Sequence, residues 1–275
     1  MIIIGEKINA SRKSIAKAIL SRDASVIQNQ IKKQDCAGAD YIDLNAGTGV
    51  GDADKEFDDM RWLIDLALES TDKPLGIDSA DPRIIRKAAE YLEGKRTWLL
   101  NSVKNDKDVL DTLMPVAAEH GCAVIALSMS GKAIPEDVPT RIDNCRAIFE
   151  SAKEAGVQEQ NLFFDPLVMP ISSNTIYGKL AMDTLRGLKE TFPQSKTTMG
   201  ISNCSFGLPH RFQINGAFLL TAIVCGLDSA ICDPTHSETK HAIILGELVS
   251  GRDRHCRRYT RAARKGEFTK DATHQ

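Results

Sequence analysis

The chain has 275 residues, and 35 basic against 37 acidic side chains leave a formal net charge of -2. That length suits one α/β barrel of roughly 250 residues, and 42% hydrophobic with 26% charged residues describes a globular chain able to bury a full core. Collagenous, disordered and disulfide-scaffold classes are excluded, and the lack of a basic excess argues against broad nucleic-acid binding.

The chain opens on MIIIGEKINA, whose apolar run is too short and too soon interrupted for a signal peptide. The longest apolar stretch, Ala217 to Gly226, falls well short of the ~18 residues of a spanning helix. Short apolar runs recur at Ile2–Ile4, Tyr41–Leu44, Leu75–Ile77, Trp98–Leu100, Ala123–Leu127, Leu162–Phe164, Thr198–Ile201 and Ser229–Cys232. Their spacing of about 34 residues is that of a βα repeat. Most runs are continuous rather than alternating, as expected of parallel strands buried on both faces.

Helix signals fill the gaps. Asp81-Pro82 places an N-cap and a first-turn proline before a helical stretch that stops at Gly94. AAEHG at 117–121 and AKEAG at 152–156 end helices on glycine, and Ser237-Glu238 opens a last helical stretch reaching Gly251. Repeated βα units without a linker predict a closed (β/α)8 barrel over residues 1–251, with a doubly wound open sheet as the alternative. Residues 252–275 form a basic C-terminal tail, in which Arg252, Arg254, Arg257, Arg258, Arg261, Arg264 and Lys265 crowd together. Seven cysteines, scattered and never spaced CxxC, fit reduced, mostly buried thiols in a cytoplasmic protein.

In a barrel the chemistry sits at the C-terminal ends of the strands. Strand one is followed by Glu6 and Asn9, and strand two by Asp43 and Asn45. Strand three supplies Asp78 and Ser79, strand four Asn101 and Ser102, strand five Ser128 and Met129, and strand six Asp165. Strand seven supplies Ser202 and Asn203, and strand eight Asp233 and His236. This rim of carboxylates, amides and hydroxyls suits a neutral, donor-rich heterocycle, because a carboxylate accepts two parallel bonds from an amidine-like N–H pair. Asp and Asn also cap the helices that follow strands. That reading is weaker for Asp78, Asn101, Asp165 and Asn203 taken together, since each closely follows a hydrophobic strand.

Other chemistries fit less well. A Schiff-base aldolase wants a strand-ending Lys, and none is present; GxSxG is absent, as is GxGxxG. Asp233, His236 and His241 could meet at one rim, but Asp-Pro with Ser-Glu shortly after reads more simply as a turn and helix start. No protein-bound metal is expected.

The segments IIIGEKIN (2–9), YIDLNAG (41–47), GIDSAD (76–81), LLNS (99–102), FFDPLVMP (163–170), GISNCS (200–205) and CGLDSAICD (225–233) together resemble the pterin-binding corrinoid methyltransferases. The resemblance implies a TIM barrel of the dihydropteroate synthase-like type, usually a homodimer, with tetrahydrofolate or 5-methyltetrahydrofolate as substrate. It places Asp78 and Asp165 on the N–H edge of the pterin, with Asn101 beside them. Asn203 becomes the catalytic residue near N5, and Asp43, Glu6 and Asn9 complete the floor. Ser202 and Met129 lie close by, and Arg211 falls where the family's loop after strand seven has an Arg.

The implied reaction moves a methyl group between N5 and the cobalt of a corrinoid (cobalamin), in a direction that belongs to the reactants. A chain of this length leaves no room for a corrinoid domain, so the cofactor is expected on a separate protein. The tertiary amine leaves poorly until N5 is protonated or hydrogen-bonded, and Asn203 can accept from a protonated N5. Dihydropteroate synthases are sister barrels, but their catalytic Lys after strand seven is replaced here by Ser202-Asn203. A non-catalytic pterin-binding barrel and a dihydropteroate synthase-like enzyme are the alternatives. The basic tail reads as a solvated helix end or as a docking arm for an acidic corrinoid protein. No nucleic-acid or membrane partner is expected.

Overall fold

The computed structural model describes residues 1–268; the last seven residues of the predicted tail lie outside the described residues. Eight parallel strands alternate with helices. β1 (Ile2–Asn9) leads through α1 (Lys13–Leu20) and α2 (Ala24–Cys36) to β2 (Tyr41–Asn45), and α3 (Ala53–Ser70) leads to β3 (Leu75–Asp78). Next come α4 (Pro82–Leu92), β4 (Trp98–Lys104), α5 (Lys107–His120) and β5 (Ala123–Leu127). α6 (Val138–Ala155), β6 (Leu162–Asp165), α7 (Tyr177–Thr191) and β7 (Lys196–Thr197) follow. α8 (Arg211–Val224), β8 (Ser229–Cys232), α9 (Ser237–Val249) and α10 (Arg257–Arg264) complete the order.

The strands are ordered β7-β6-β5-β4-β3-β2-β1-β8, and a single parallel bridge from Gly200 to Ile231 brings the two ends together. The sheet is thus a nearly closed barrel rather than an open doubly wound sheet. Its interior is plugged by Ile4, Leu99, Ile125 and Phe163, which form a compact apolar layer below the polar rim at the C-terminal ends of the strands. A larger cluster fills the space between the strands and the surrounding helices.

Local sequence explains the helix ends. Asp52, Asp81 and Asp137 each accept a backbone N–H in the first turn that follows them, and Pro82 sits at the start of α4. Gly121 and Gly156 close α5 and α6 in the left-handed conformation, which costs glycine no Cβ clash.

Two strands differ from expectation. β1 runs on to Asn9, so Glu6 and Asn9 lie within the strand; its ladder slips between Gly5 and Ile8, and Gln34 Oε1 takes the Lys7 N–H at 3.0 Å. β7 is Lys196–Thr197, earlier and shorter than the apolar run Thr198–Ile201, because Ile201–Asn203 turns into a 3-10 turn across the barrel mouth.

Beyond α9 the chain does not continue as one solvated helix. Gly251, His255 and Cys256 have positive φ, and α10 then packs back on α9. Arg258 pairs with Glu247, which also holds the Met1 ammonium at 2.6 Å, and Lys240 pairs with Glu267 at 3.0 Å.

Candidate active site

The register of the first four strands lines up one polar row. Asn9 pairs with Asn45, Asn45 with Asp78, and Asp78 with Asn101. Partners in parallel register project to the same face, so two carboxamides, a carboxylate and a third carboxamide stand side by side at the top of the barrel. Asn9 Nδ2 donates to Asp78 Oδ2 at 3.5 Å. One step lower on β2, Asp43 receives Asn101 Nδ2 at 3.3 and 3.4 Å. Its neighbour on β3 is Gly76, where a Cβ would overlap the Asp43 carboxylate.

Across the barrel, Asp165 ends β6 and turns back on its own chain, accepting from Leu167 N at 2.8 Å. Arg141 of α6, wholly buried, fixes that turn: Nη1 donates to the Pro166 and Leu167 carbonyls, and Nε to the Pro135 carbonyl at 2.9 Å.

Burial has pushed these acids away from their ordinary behaviour. Asp78 and Asp165 are each raised to about 6, chiefly because burial penalises the charged form. Asp43 stands well above the carboxylate range, through burial and then the neighbouring Asp78 charge. Glu6 is raised by burial against the opposing hydrogen bond from Ser202. All four acids of the cup are thus shifted upward, a pattern found where side chains bind ligands or move protons.

The 3-10 turn after β7 closes the site toward β1. Ser202 Oγ donates to Glu6 Oε1 at 2.6 Å, and Arg12 Nη2 donates to the same oxygen at 2.9 Å. Asn203, the next residue, is exposed, and its side chain has no hydrogen-bond partner among the described residues. Arg211, at the start of α8, does not enter the acidic row. It braces the turn from outside, donating Nη2 to the Ser202 carbonyl at 2.7 Å and Nε to Ser205 Oγ at 3.1 Å. Met129 is half-buried just beyond β5, where its carbonyl accepts from Asn105 N at 2.9 Å.

The structure thus bonds Asn9 to Asp78 and Asn101 to Asp43, links Glu6 with Ser202, and puts Asp165 on the same rim. Asn45 belongs to the row as fully as its neighbours, and the strand-end rule that picked out Asp43 also pointed to it. Sequence reasoning missed Lys7, which pairs with Asp233 at 2.7 Å. It also missed a cleft of about 440 Å³ beside the cup, lined by Glu6, Arg12, Ser202, Arg211, Phe212 and His236 among others. Asp233 and His236 meet at 3.2 Å, whereas His241 turns away to the Glu267 carbonyl. Among the described residues no three His, Cys, Asp or Glu side chains group to hold a metal ion.

The chain is 34% identical over 270 residues to the methylcorrinoid:tetrahydrofolate methyltransferase of Eubacterium limosum, covering 98% of each chain. It is 29% identical over 244 residues to methionine synthase of Mycobacterium tuberculosis, where the match spans 84% of this chain but 20% of that enzyme. In fold it is similar to dihydropteroate synthases of Stenotrophomonas maltophilia and Yersinia pestis, with TM-scores of 0.67 and 0.65, each at 17% identity. Those alignments cover 90% and 91% of this chain and 92% and 93% of theirs. The family model described as pterin binding enzyme matches residues 5–233, from the first strand of the barrel to the end of the last, and the chain belongs to that family.

Proposed function

We propose that the cup holds the pterin of a tetrahydrofolate, and that the protein is a methyltransferase moving a methyl group between folate N5 and the cobalt of a corrinoid carried by a separate protein. A relative of matching length that is named for this reaction supports the reading. The observation that carries it is an unpartnered amide, Asn203, at the mouth of a cup otherwise lined with paired acids and amides.

The roles follow from hydrogen-bond inventory. Asp78 and Asp165, once ionised, accept from the N–H groups of the pterin, while Asn9, Asn45 and Asn101 can donate or accept to suit the rest of the ring. The corrinoid, when bound on its carrier, supplies the metal that gives or takes the methyl group. This chain's own residues orient the pterin, and Asn203 accepts from a protonated N5 as charge develops there. Ser202 and Glu6 hold the turn that aims it.

A homodimer acting in the cytoplasm is proposed with this reading on the family resemblance of the sequence alone, and the exposed arginines of α10 offer the carrier protein a surface. The test mixes the protein with cobalamin and methyltetrahydrofolate, or methylcobalamin with tetrahydrofolate, and follows the cobalt spectrum. Interconversion of the Co(I) and methyl-cobalt bands is expected. Folate binding with unchanged bands would leave a non-catalytic pterin-binding barrel.

A further inference from the structure

Successive side chains of a strand alternate between its two faces. The start of β1 obeys the rule: Ile3 joins the apolar cluster that holds residues of α8 and α9, and Ile4 plugs the barrel. Continued without a break, that alternation would turn Ile8 into the cup and Asn9 out of it. The structure has the reverse. Ile8 is wholly buried in the cluster between the strands and the helices, and Asn9 stands in the polar row, bonded to Asp78.

The exchange of faces is made at one place. Gly5 pairs with Ile42 and Ile8 with Leu44, so Glu6 and Lys7 together stand against Asp43 alone. Such a bulge adds one residue, flips every side chain beyond it and leaves a backbone group without its ladder partner. Glu6 and Lys7, neighbours in sequence, accordingly both reach the mouth, Glu6 to Ser202 and Lys7 to Asp233. The Lys7 N–H is taken from outside the barrel, by Gln34 Oε1 at 3.0 Å.

Gln34 belongs to α2 and has no exposed surface, and its Nε2 has no hydrogen-bond partner among the described residues. A buried donor left unpaired is costly, so the amide is not placed there for its own sake. β1 makes room for it: a Cβ at Gly5 would lie 2.5 Å from Gln34 Oε1. We propose that Gln34 is a positioning residue of the cup, which by holding the Lys7 N–H stabilises the bulge that turns Asn9 inward. It thereby raises folate affinity without touching the folate, an inference that rests on the folate reading of the cup. Glu6 keeps the same face with or without the bulge, so the Ser202–Asn203 turn that it anchors does not depend on Gln34.

The test replaces Gln34 with Met, which keeps the length of the side chain and lacks the amide oxygen. One buried acceptor is worth about tenfold, and affinity falls by that factor when binding has to restore the bulged register. Gln34→Met should therefore raise KM for tetrahydrofolate about tenfold and spare kcat with free methylcobalamin. In an Asn9→Ala background no amide is left to aim, and the same substitution should change folate affinity by less than about twofold. Gly5→Ala, which displaces the Gln34 amide from the strand side, should give the same pair of results. In the wild type the Lys7 amide should be protected from hydrogen exchange, and Gln34→Met should remove the protection.

Losses that multiply in the double variant would make Gln34 a support of the fold at large and overturn the assignment. An unchanged KM in Gln34→Met would do the same, while the pterin cup stands. The exchange measurement on the wild type needs no substitution, so a Lys7 amide that exchanges freely overturns the proposal even where a variant does not fold. If the wild type binds no tetrahydrofolate, the folate reading itself fails and this role of Gln34 falls with it.

Discussion

Ser202 Oγ donates to Glu6 Oε1 at 2.6 Å, a bond between residues 196 positions apart that ties the turn after β7 to the first strand. Through it the residue next in sequence, Asn203, is held at the mouth of the barrel with its amide free. A group that waits unpaired in the resting protein is suited to an interaction made only as charge develops on the substrate.

Replacing Asn203 with Ala should therefore remove transition-state stabilisation of about 2–4 kcal/mol, as for one lost oxyanion donor. Single-turnover methyl transfer should slow by that factor while folate affinity changes little. Equal losses in rate and affinity would place Asn203 among the ordinary binding groups.

Gly76 and Asp43 make a second pair that admits no alternative. A Cβ at position 76 would overlap Asp43 Oδ1 and lie 3.1 Å from the Asp43 Cα, so rotating the aspartate alone cannot relieve it. Gly76→Ala must shift β2 or β3, and overpacking of this kind costs about 1–3 kcal/mol. It should lower Tm and also cut folate affinity, because the displaced Asp43 loses its bond from Asn101. Thermal denaturation together with folate titration checks this, and a variant with normal affinity would show that Asp43 stands apart from binding.

Why the strand ends could be read from sequence, and the cleft could not, follows from periodicity. A buried parallel strand is almost wholly apolar, so the first polar residue after Ile77 or Phe164 marks its mouth, and Asp78 and Asp165 are found directly. β1 broke that rule: its ladder slips at Gly5, and a side chain from α2, Gln34, substitutes for a strand partner. No local signal announces such a long-range bond. β7 broke it differently, since Ile201 looks like strand but faces an apolar cluster from a 3-10 turn. Phe212 and His236 come from the starts of two different helices and meet only through the fold. The basic run after residue 251 showed its charge plainly, and Gly251 marked the end of α9, yet the turn back into a separate helix depends also on two left-handed residues, His255 and Cys256, that carry no glycine signature.

The raised acids give a pH dependence with a definite sign. Asp78 and Asp165 ionise at about 6, and the ionised carboxylate is the form that accepts two N–H donors. Folate affinity should be steady above that value and fall as pH drops through about 6. A titration flat from pH 5 to pH 8 would detach both residues from the ligand.

The same shift makes an opposite prediction for stability. The folded value of Asp78 lies above its ordinary 3.8, so the folded protein binds more protons than the unfolded chain between the two values. Stability then falls as pH rises through that window, and above about 6 the cost is present in full. No cation is among the causes acting on Asp78. Asp78→Asn should accordingly stabilise the ligand-free protein at pH 7 by about 1–3 kcal/mol and lose the gain below pH 4, while folate affinity collapses. Denaturant curves at the two pH values decide it; a destabilised variant at pH 7 would mean that Asp78 serves the fold.

The basic segment after α9 needs substitutions rather than truncation. Glu247 is nearly buried and meets both the Met1 ammonium and Arg258, so cutting the chain after Gly251 strips a charge partner from the barrel and should lower stability. Arg257, Arg261 and Arg264 are exposed and, among the described residues, pair with no carboxylate. Neutralising all three to Gln should leave Tm unchanged, since exposed unpaired charges contribute little to the fold. If the row steers an acidic corrinoid protein, methyl transfer with that protein at low salt should slow about tenfold or more, and the salt dependence of the remaining rate should flatten. Transfer with free cobalamin, which needs no protein docking, should continue at the wild-type rate. Unchanged salt dependence with the carrier protein would assign α10 to the barrel wall alone.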